Sequence, residues 1–290
     1  MNAGPRMTTD ILARKFAVEA TRPSAPEVAQ LREILEPGTS VYVTAVPTGA
    51  AEEIVTAAAA LRDAGFEPVV HVAARRLKSA ESLQDMLSGL TGEAGVRRLL
   101  VIGGDTDVAG PYVDALAVIQ KGDLRMRGIE EIGIGAYPEG HPRISSERLE
   151  ASIDEKIASA TAQGLRVHIV SQFAFSGEHI IAWLKRLRGS GIKHPVGIGL
   201  AGPTSVPALI RYAKRCGVSA SLRGLMSGAA TGLVGNVGPD RIIDILRTSQ
   251  TELGDTHLHY FSFGGVVSTA RYARDLAQSG IEQKAAAAHS

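Results

Sequence analysis

Short apolar segments alternate with helical segments along this chain, and that alternation restricts its fold more than any other feature. Each of eight predicted strands is followed by a predicted helix, an order typical of parallel sheets covered by helices. The strands are predicted at Lys15–Thr21, Ser40–Val46, Glu67–Ala73, Val96–Gly103, Glu131–Ala136, Leu165–Phe173, Val196–Leu200 and His257–Phe263. Eight such units within 290 residues predict a (β/α)8 TIM barrel.

The helical segments complete this interpretation. They are predicted at Pro26–Leu35, Ala50–Asp63, Ser79–Leu90, Pro111–Gln120, Ser146–Ala162, Gly177–Arg188, Val206–Cys216, Pro239–Glu252 and Ser268–Gln278. The glycine-rich stretch from Gly217 to Gly238 is interpreted as an insertion before the last strand. We expect an N-terminal arm over residues 1–14, one catalytic domain over 15–280 and a flexible tail over 281–290. A doubly wound sheet is disfavoured, because no GxGxxG follows the first strand.

Composition narrows the class of protein. Hydrophobic residues make up 44% and charged residues 21%, as in a globular protein with a large core. The net charge of +1 offers no clustered basic surface for nucleic acid or a membrane. Cys216 is the only cysteine, so neither an intrachain disulfide nor a cysteine metal cluster is expected, and no metal site is predicted. The sequence predicts a cytoplasmic enzyme or binding protein and is compatible with a homo-oligomer.

The segment EIGIGAYPEGHP, from Glu131 to Pro142, joins a buried strand to groups suited to chemistry. Pro138 ends the strand because it lacks the N–H that a sheet requires. A phenol, a carboxylate and an imidazole lie around this proline, on Tyr137, Glu139 and His141. Such a loop is typical of the rim at which barrel enzymes bind substrates. An ordinary polar surface turn is the alternative.

Other predicted strands also end in polar residues, and in a barrel those ends converge on one mouth. The set comprises Glu19, Thr44, His71, Asp105, Tyr137, His141 and Gln172. Buried polar groups cost free energy unless they are paired, so this number exceeds what folding requires. Taken singly, Glu19 has a second interpretation as an ion-pair partner, Asp105 as a turn residue and His71 as a core histidine. Their joint position at strand ends favours a functional site.

These residues, in this order, resemble the methylenetetrahydrofolate reductase family, in particular its short bacterial type that consists of the catalytic barrel alone. The resemblance extends from about Phe16 to Leu276. Its motifs are Val18-Glu19-Ala20 with Pro23, Val43-Thr44, His71, Gly104-Asp105, Ala136-Tyr137-Pro138-Glu139 with His141-Pro142, and Ser171-Gln172-Phe173 with Phe175. The segment that matches AYPExHP is the most specific of them.

The resemblance implies reduction of 5,10-methylenetetrahydrofolate to 5-methyltetrahydrofolate, or the reverse oxidation, in one-carbon metabolism and methionine biosynthesis. Hydride would pass from NADH or NADPH through bound FAD. Glu19 would be the general acid for N10, with its pKa raised by burial. Asp105 would offset iminium charge, and Asp105, Gln172 and Phe175 would bind folate. The flavin-binding set would be Thr44, His71, Gly104, Asp105, Tyr137 and His141.

The sequence also departs from the family pattern. Gly103 replaces a common arginine, and a lysine is missing near Ala160, so we expect FAD to bind more weakly than is usual for the family. Leu209 replaces a common glutamine, and Gly264-Gly265 replace Asn-Arg, which weakens the expected folate contacts. Arg75, Arg76, Arg143 and Lys156 are candidate replacements for the lost cations. Two alternatives stay open: a flavin-free folate one-carbon enzyme of this fold, and a non-catalytic folate-binding barrel.

Overall fold

Eight parallel strands close into a barrel in the computed structural model, which describes residues 12–45, 50–107, 110–218 and 236–288. The barrel strands are β1 (Phe16–Ala20), β2 (Ser40–Val43), β3 (Glu67–Ala73), β4 (Arg98–Ile102), β5 (Glu131–Ala136), β6 (Arg166–Ser171), β7 (Val196–Ala201) and β10 (Thr256–Phe261). A separate antiparallel pair is formed by β8 (Thr204–Ser205) and β9 (Asn236–Val237). The barrel closes where β10 pairs with both β1 and β7. The predicted TIM barrel is confirmed.

The helices lie between the strands in chain order. They are α1 (Ala25–Ile34), α2 (Ala51–Asp63), α3 (Ala80–Gly92), α4 (Ala115–Lys121), α5 (Ser146–Ala162), α6 (Gly177–Gly189), α7 (Val206–Arg215), α8 (Asp240–Arg247) and α9 (Val266–Ala288). Short 3-10 turns occupy Ala74–Arg76 and Gln250–Glu252. Within the described ranges, every helix is too short or too polar to cross a bilayer.

Side-chain caps explain where several helices begin. The hydroxyl groups of Ser145, Ser176 and Ser205 accept hydrogen bonds from the first turns of α5, α6 and α7. The prediction that Pro111 begins the fourth helix was wrong. That helix begins at Ala115, because the Asp114 carboxylate accepts the N–H of Ala117 and so satisfies an otherwise unpaired donor.

Other boundaries moved by a few residues. β2 ends at Val43, and the predicted end at Val46 lies outside the described residues. The last helix continues to Ala288 rather than Gln278. Most of the predicted arm, and the predicted insertion between Val218 and Asn236, also lie outside the described residues.

The core has two layers with different chemistry. Between the sheet and the helices, apolar side chains such as Leu31, Leu87 and Ile134 are fully buried. Burying each stabilises the fold by about 1.5–3 kcal/mol. Inside the barrel, a smaller apolar set is centred on Tyr42 and Leu100. Polar side chains share that interior space. In most TIM barrels, by contrast, branched apolar residues fill the interior.

An ion pair between two strands lies at the N-terminal end of the barrel. The Arg98 guanidinium donates to the Glu131 carboxylate at 2.8 Å and to the Ser40 hydroxyl at 2.9 Å. Burial opposes ionisation of Glu131, but contacts to His168 and Arg98 outweigh it and lower the pKa to about 2. This end is therefore held by charge pairing between strands, and the opposite end is left to form the cavity.

Candidate active site

A cavity of about 650 Å³ opens at the C-terminal ends of the barrel strands. This is the face at which TIM-barrel enzymes carry out chemistry, and the volume lies in the range of small-molecule sites. The cavity is lined by seven residues that were predicted from strand ends, namely Glu19, Thr44, His71, Asp105, Tyr137, His141 and Gln172, and by Gly104. The fold therefore brings these eight residues to one place.

Glu19, on β1, lies at the buried end of this cavity between two imidazoles. Its Oε1 atom is 3.2 Å from Nε2 of His259 and 3.5 Å from Nε2 of His71. The residue is only 8% exposed, and burial raises its pKa to about 7, although the nearby His71 opposes part of that rise. Burial lowers the pKa of both imidazoles. Near neutral pH the site thus holds neutral histidines and a carboxyl group able to give up a proton.

Below Glu19, a chain of buried contacts continues towards the N-terminal end of the barrel. The Tyr42 ring meets the His259 ring edge to face, with 4.5 Å between centroids. Its hydroxyl is 2.9 Å from Nε2 of His168, and Nδ1 of His168 is 2.8 Å from Oε1 of Glu131. This series of contacts restricts the rotation of the His259 ring.

Asp105, after β4, lies between two arginines. Arg76 donates to Oδ1, and the Arg215 guanidinium is 3.6 Å from Oδ2. Partial burial opposes ionisation, but the hydrogen bond and charge of Arg76 outweigh it and lower the pKa of Asp105. The carboxylate is therefore ionised near neutral pH and can accept hydrogen bonds from a ligand.

The loop after β5 supplies Tyr137 and His141, whose rings pack edge to face at 5.1 Å. Burial raises the pKa of Tyr137 and lowers that of His141, so both are neutral near pH 7. The Glu139 carboxylate accepts the backbone N–H groups of Phe175 and Ser176, at 2.9 and 3.3 Å. Glu139 thus connects this loop to the one after β6.

The remaining predicted residues have varied surroundings. Thr44 bonds to Thr21 through their hydroxyls at 2.7 Å, and Gln172 accepts the N–H of Phe173 at 3.1 Å. Gly104 has a φ of +93°, which favours glycine. Phe175 packs against Phe173 and is not among the residues that line the cavity.

Sequence reasoning missed several lining residues. Tyr212 and Phe263 stack face to face at 4.1 Å, and Phe261 lines the same wall. The end of α7 adds Lys214 and Arg215. Of the four candidate cations, Arg76 and Arg143 reach the cavity. Arg75 donates instead to the carbonyls of Val113 and Thr106, and Lys156 contacts Ser152 on α5.

Two departures from the family pattern have local reasons. A Cβ at Gly264 would lie 2.1 Å from the carbonyl oxygen of Pro203, so this backbone excludes the usual asparagine. Ala160 is completely buried in α5, where a lysine would lose its hydration. A Cβ at Gly103 would meet no atom of the described residues within 4 Å, so packing does not require glycine there.

The sequence pattern of a known family covers most of this barrel. The family model described as methylenetetrahydrofolate reductase matches residues 26–223, more than half of the chain. The chain belongs to the methylenetetrahydrofolate reductase family. The resemblance noted in the sequence is confirmed. Membership of the methylenetetrahydrofolate reductase family supports an oxidoreductase in folate-related one-carbon metabolism.

Several solved structures are similar to this chain at low sequence identity. Tryptophan synthase from Mycobacterium tuberculosis is 15% identical with a TM-score of 0.50, covering 92% of this chain and 93% of its own. Dihydropteroate synthase from Thermus thermophilus is 15% identical with a TM-score of 0.49, covering 91% and 93%. The 3-dehydroquinate dehydratase from Aquifex aeolicus is 9% identical with a TM-score of 0.49, covering 91% and 98%. At 15% identity, the similarity to tryptophan synthase concerns the fold alone.

Proposed function

We propose that this protein interconverts 5,10-methylenetetrahydrofolate and 5-methyltetrahydrofolate, with NADH or NADPH as the hydride donor in the reducing direction. The observation that carries the proposal is Glu19, a buried carboxyl group with a pKa of about 7 at the end of a 650 Å³ cavity. Few side chains hold a transferable proton in an enclosed site near neutral pH. Membership of the reductase family gives that proton a specific destination.

Glu19 acts as the general acid. The methylene bridge accepts hydride only after the five-membered ring of the substrate opens, and opening requires a proton on N10. A carboxyl group that stays protonated near pH 7 can supply it, whereas an exposed glutamate, ionised above about pH 4.3, cannot. The neutral His71 and His259 do not hold Glu19 as a carboxylate, because neither carries a full positive charge at that pH.

Asp105 stabilises positive charge, whereas Glu19 supplies a proton. Its ionised carboxylate accepts hydrogen bonds from the pterin ring and offsets the positive charge of the iminium formed at N5. Gln172 pairs with the pterin edge, since an amide both donates and accepts. Phe175 contributes through its packing on Phe173 beside the cavity. The Tyr212 and Phe263 rings offer an apolar wall for the aromatic parts of folate.

FAD fits this cavity by the character of its lining. Thr44, His71, Gly104, Asp105, Tyr137 and His141 would hold it, and Arg76, Arg143, Lys214 and Arg215 would be cations for its phosphates. When bound, FAD supplies the carrier that passes hydride between the nicotinamide and the folate. Two of these arginines are engaged by Asp105 and a third by Asp107, so we expect weak retention of FAD.

The same engagement of the arginines favours a second candidate, a flavin-free reductase in which NADH gives hydride directly to the folate. In that enzyme Glu19 and Asp105 keep their functions, while the residues around the flavin site bind the nicotinamide nucleotide instead. The two candidates differ in one measurable property, the need for flavin. A non-catalytic folate-binding barrel differs from both candidates, because it would bind folate without reducing or oxidising it.

The test uses the purified full-length protein under anaerobic conditions. We expect 5-methyltetrahydrofolate to form from 5,10-methylenetetrahydrofolate with NADH or NADPH, when FAD is added. Formation at the same rate after exhaustive removal of FAD would select the flavin-free enzyme. Folate binding with no product under either condition would select the non-catalytic barrel and overturn the proposal.

A further inference from the structure

His259 is the nearer of the two imidazoles beside the Glu19 carboxyl group, although it lies 240 residues further along the chain. Its Nε2 atom is 3.2 Å from Oε1 of Glu19, and the residue is completely buried. In the barrel, Ala17 on β1 pairs with His259 on β10. Glu19 follows Ala17 by two residues and so lies on the same face of β1, and the side chains of Glu19 and His259 therefore project from adjacent strands into the same interior. Their contact is therefore fixed by the closure of the barrel.

The surroundings of the ring decide which nitrogen carries its proton. Nδ1 of His259 is buried and has no hydrogen-bond partner among the described residues. A proton on Nδ1 would bury an unpaired N–H group, which is costly. A proton on Nε2 is instead donated to Oε1 of Glu19, and only a lone pair on Nδ1 stays unpaired. The structure therefore favours the Nε2–H tautomer.

That tautomer assigns separate functions to the two oxygens of Glu19. Oε1 accepts the N–H of His259 and also faces His71 at 3.5 Å, whereas Oε2 makes neither contact. When the carboxyl group is neutral, its proton is then favoured on Oε2. We propose that His259 is a positioning residue that keeps the transferable proton of Glu19 on Oε2, an inference that rests on the proposed function of Glu19.

Tyr42 and His168 support His259 from below. The Tyr42 ring meets the His259 ring at 4.5 Å and an interplanar angle of 86°, which prevents the imidazole from turning. The Glu131 carboxylate lies 2.8 Å from Nδ1 of His168, which favours the proton on that nitrogen. Nε2 of His168 then accepts the Tyr42 hydroxyl at 2.9 Å. One set of proton positions is thus compatible with the contacts from Glu131 to Glu19.

Two variants of similar length separate the hydrogen bond from the packing. His259→Gln keeps an N–H donor at the end of the side chain, whereas His259→Met fills a similar space without one. We expect His259→Met to lower kcat for folate reduction about 10²-fold with little change in KM, and His259→Gln to recover most of that loss. NADH oxidation by a quinone acceptor should be nearly unchanged in both variants.

The pH profile gives a second measurement that a purely structural residue would not alter. The titratable groups that face Glu19 are His71, His259, Tyr42 and Cys216. An N–H donated to a carboxylate favours the charged form, so its removal raises the pKa of Glu19. Folate reduction, which needs the acid form, should then persist to higher pH in His259→Met, by about one pH unit. In His259→Gln, folate reduction should be lost at the same pH as in the wild type.

His257 provides a matched control. It lies two residues earlier on β10, faces the same interior beside Gly197, and makes no described contact with Glu19. We expect His257→Met to leave the pH limb of folate reduction in place. Equal losses and equal pH limbs for His257→Met and His259→Met would overturn the proposal.

Direct observation of the tautomer tests the wild-type protein, whether or not a variant folds. Histidine ¹⁵N NMR should show the proton of His259 on Nε2, and the proton on Nδ1 would also overturn the proposal. Glu19→Gln separates this failure from failure of the proposed function. If that variant reduced folate normally, the assigned function of Glu19 would be wrong. If it were inactive while His259→Met behaved like the control, only the positioning proposal would be wrong.

Discussion

Arg76, which follows β3, forms an ion pair with Asp105, which follows β4. The guanidinium of Arg215, at the end of α7, approaches the other oxygen of the same carboxylate at 3.6 Å, so Asp105 lies between cations from two different elements. A ligand that reaches Asp105 therefore meets an ionised acceptor whose position is already restricted. Under the proposed function, Arg76 supplies, from the turn after β3, the positive charge that Gly103 lacks.

Asp105→Asn should weaken folate binding and slow folate reduction by about 10- to 100-fold, because a hydrogen bond to a charged acceptor becomes one to a neutral amide. Oxidation of NADH by a quinone acceptor should change less. Steady-state kinetics of both reactions measure the difference. Asp275→Asn is the matched control, since Asp275 is exposed on α9 and pairs with Arg274, away from the residues that line the cavity. Unchanged folate kinetics in Asp105→Asn would remove Asp105 from the folate site.

Glu19→Gln should abolish folate reduction while cofactor reduction by NADH or NADPH stays nearly intact. The amide has the shape of the acid but no acidic proton, and a general acid contributes about 10²–10⁴-fold to a rate. Rapid-mixing measurements of each half-reaction check this separation. Equal loss of both half-reactions, in a protein with an unchanged circular dichroism spectrum, would make Glu19 a structural or cofactor-binding residue.

The same substitution should stabilise the fold in a pH-dependent manner. The pKa of Glu19 is raised from 4.5 to about 7 in the folded state, so its contribution to stability is present below pH 4.5 and lost as the pH rises through 7. Relative to the wild type, Glu19→Gln should therefore gain about 3 kcal/mol in the free energy of unfolding between pH 4.5 and pH 8. Urea unfolding at several pH values measures this difference. A constant difference across that range would show that the folded-state pKa of Glu19 is not raised.

Much of the site was predictable because it depends on local order in the chain. β5 has the predicted bounds, and the proline that ends it places Tyr137 and His141 at the mouth of the barrel. Any strand that ends in a parallel barrel delivers its next side chains to that mouth. Glu19, His71 and Asp105 follow from the same rule.

The residues that were missed depend on the three-dimensional register instead. His259 meets Glu19 because β10 closes against β1, a pairing between residues separated by 240 positions. Within its own strand, His259 follows a second histidine, His257, and precedes Tyr260 and Phe261, and nothing in the local sequence distinguishes it. Tyr212 and Arg215 lie on a helix, and their approach to the cavity depends on how α7 packs over the barrel. Such positions follow from packing rather than from sequence period.

Gly133→Ala should destabilise the barrel, because the added methyl group crowds His168, one of the buried residues between Glu131 and Glu19. An added methyl would lie 2.6 Å from Nε2 of His168 and 2.9 Å from a Leu100 methyl group, so one of them must move. Overpacking of this kind costs about 1–3 kcal/mol. Gly135→Ala, on the same strand, is the control, because its methyl would have only Ile102 within contact distance, at 3.8 Å. Thermal unfolding of both variants checks the prediction, and equal melting temperatures would contradict it.

FAD should bind to the apo-protein saturably but weakly, so that the protein purifies partly empty. The cavity has polar groups for the flavin and four cations near its mouth, yet Arg76, Arg143 and Arg215 are each paired with an aspartate. A phosphate must compete with those pairs, which reduces the net gain from binding. Arg143→Ala should weaken binding further, and raised salt should do so as well.

Titration of apo-protein with FAD, followed by flavin fluorescence, decides this prediction. Arg125→Ala is the control, since Arg125 lies at a separate surface pocket with Arg97 and Arg127. We expect Arg125→Ala to match the wild type and Arg143→Ala to bind less tightly. If no saturable binding occurs, and NADH alone supports reduction of the folate, the cavity binds nicotinamide in place of flavin. The cations at its mouth would then interact with the pyrophosphate of NADH, and Arg143→Ala would raise the KM for NADH instead.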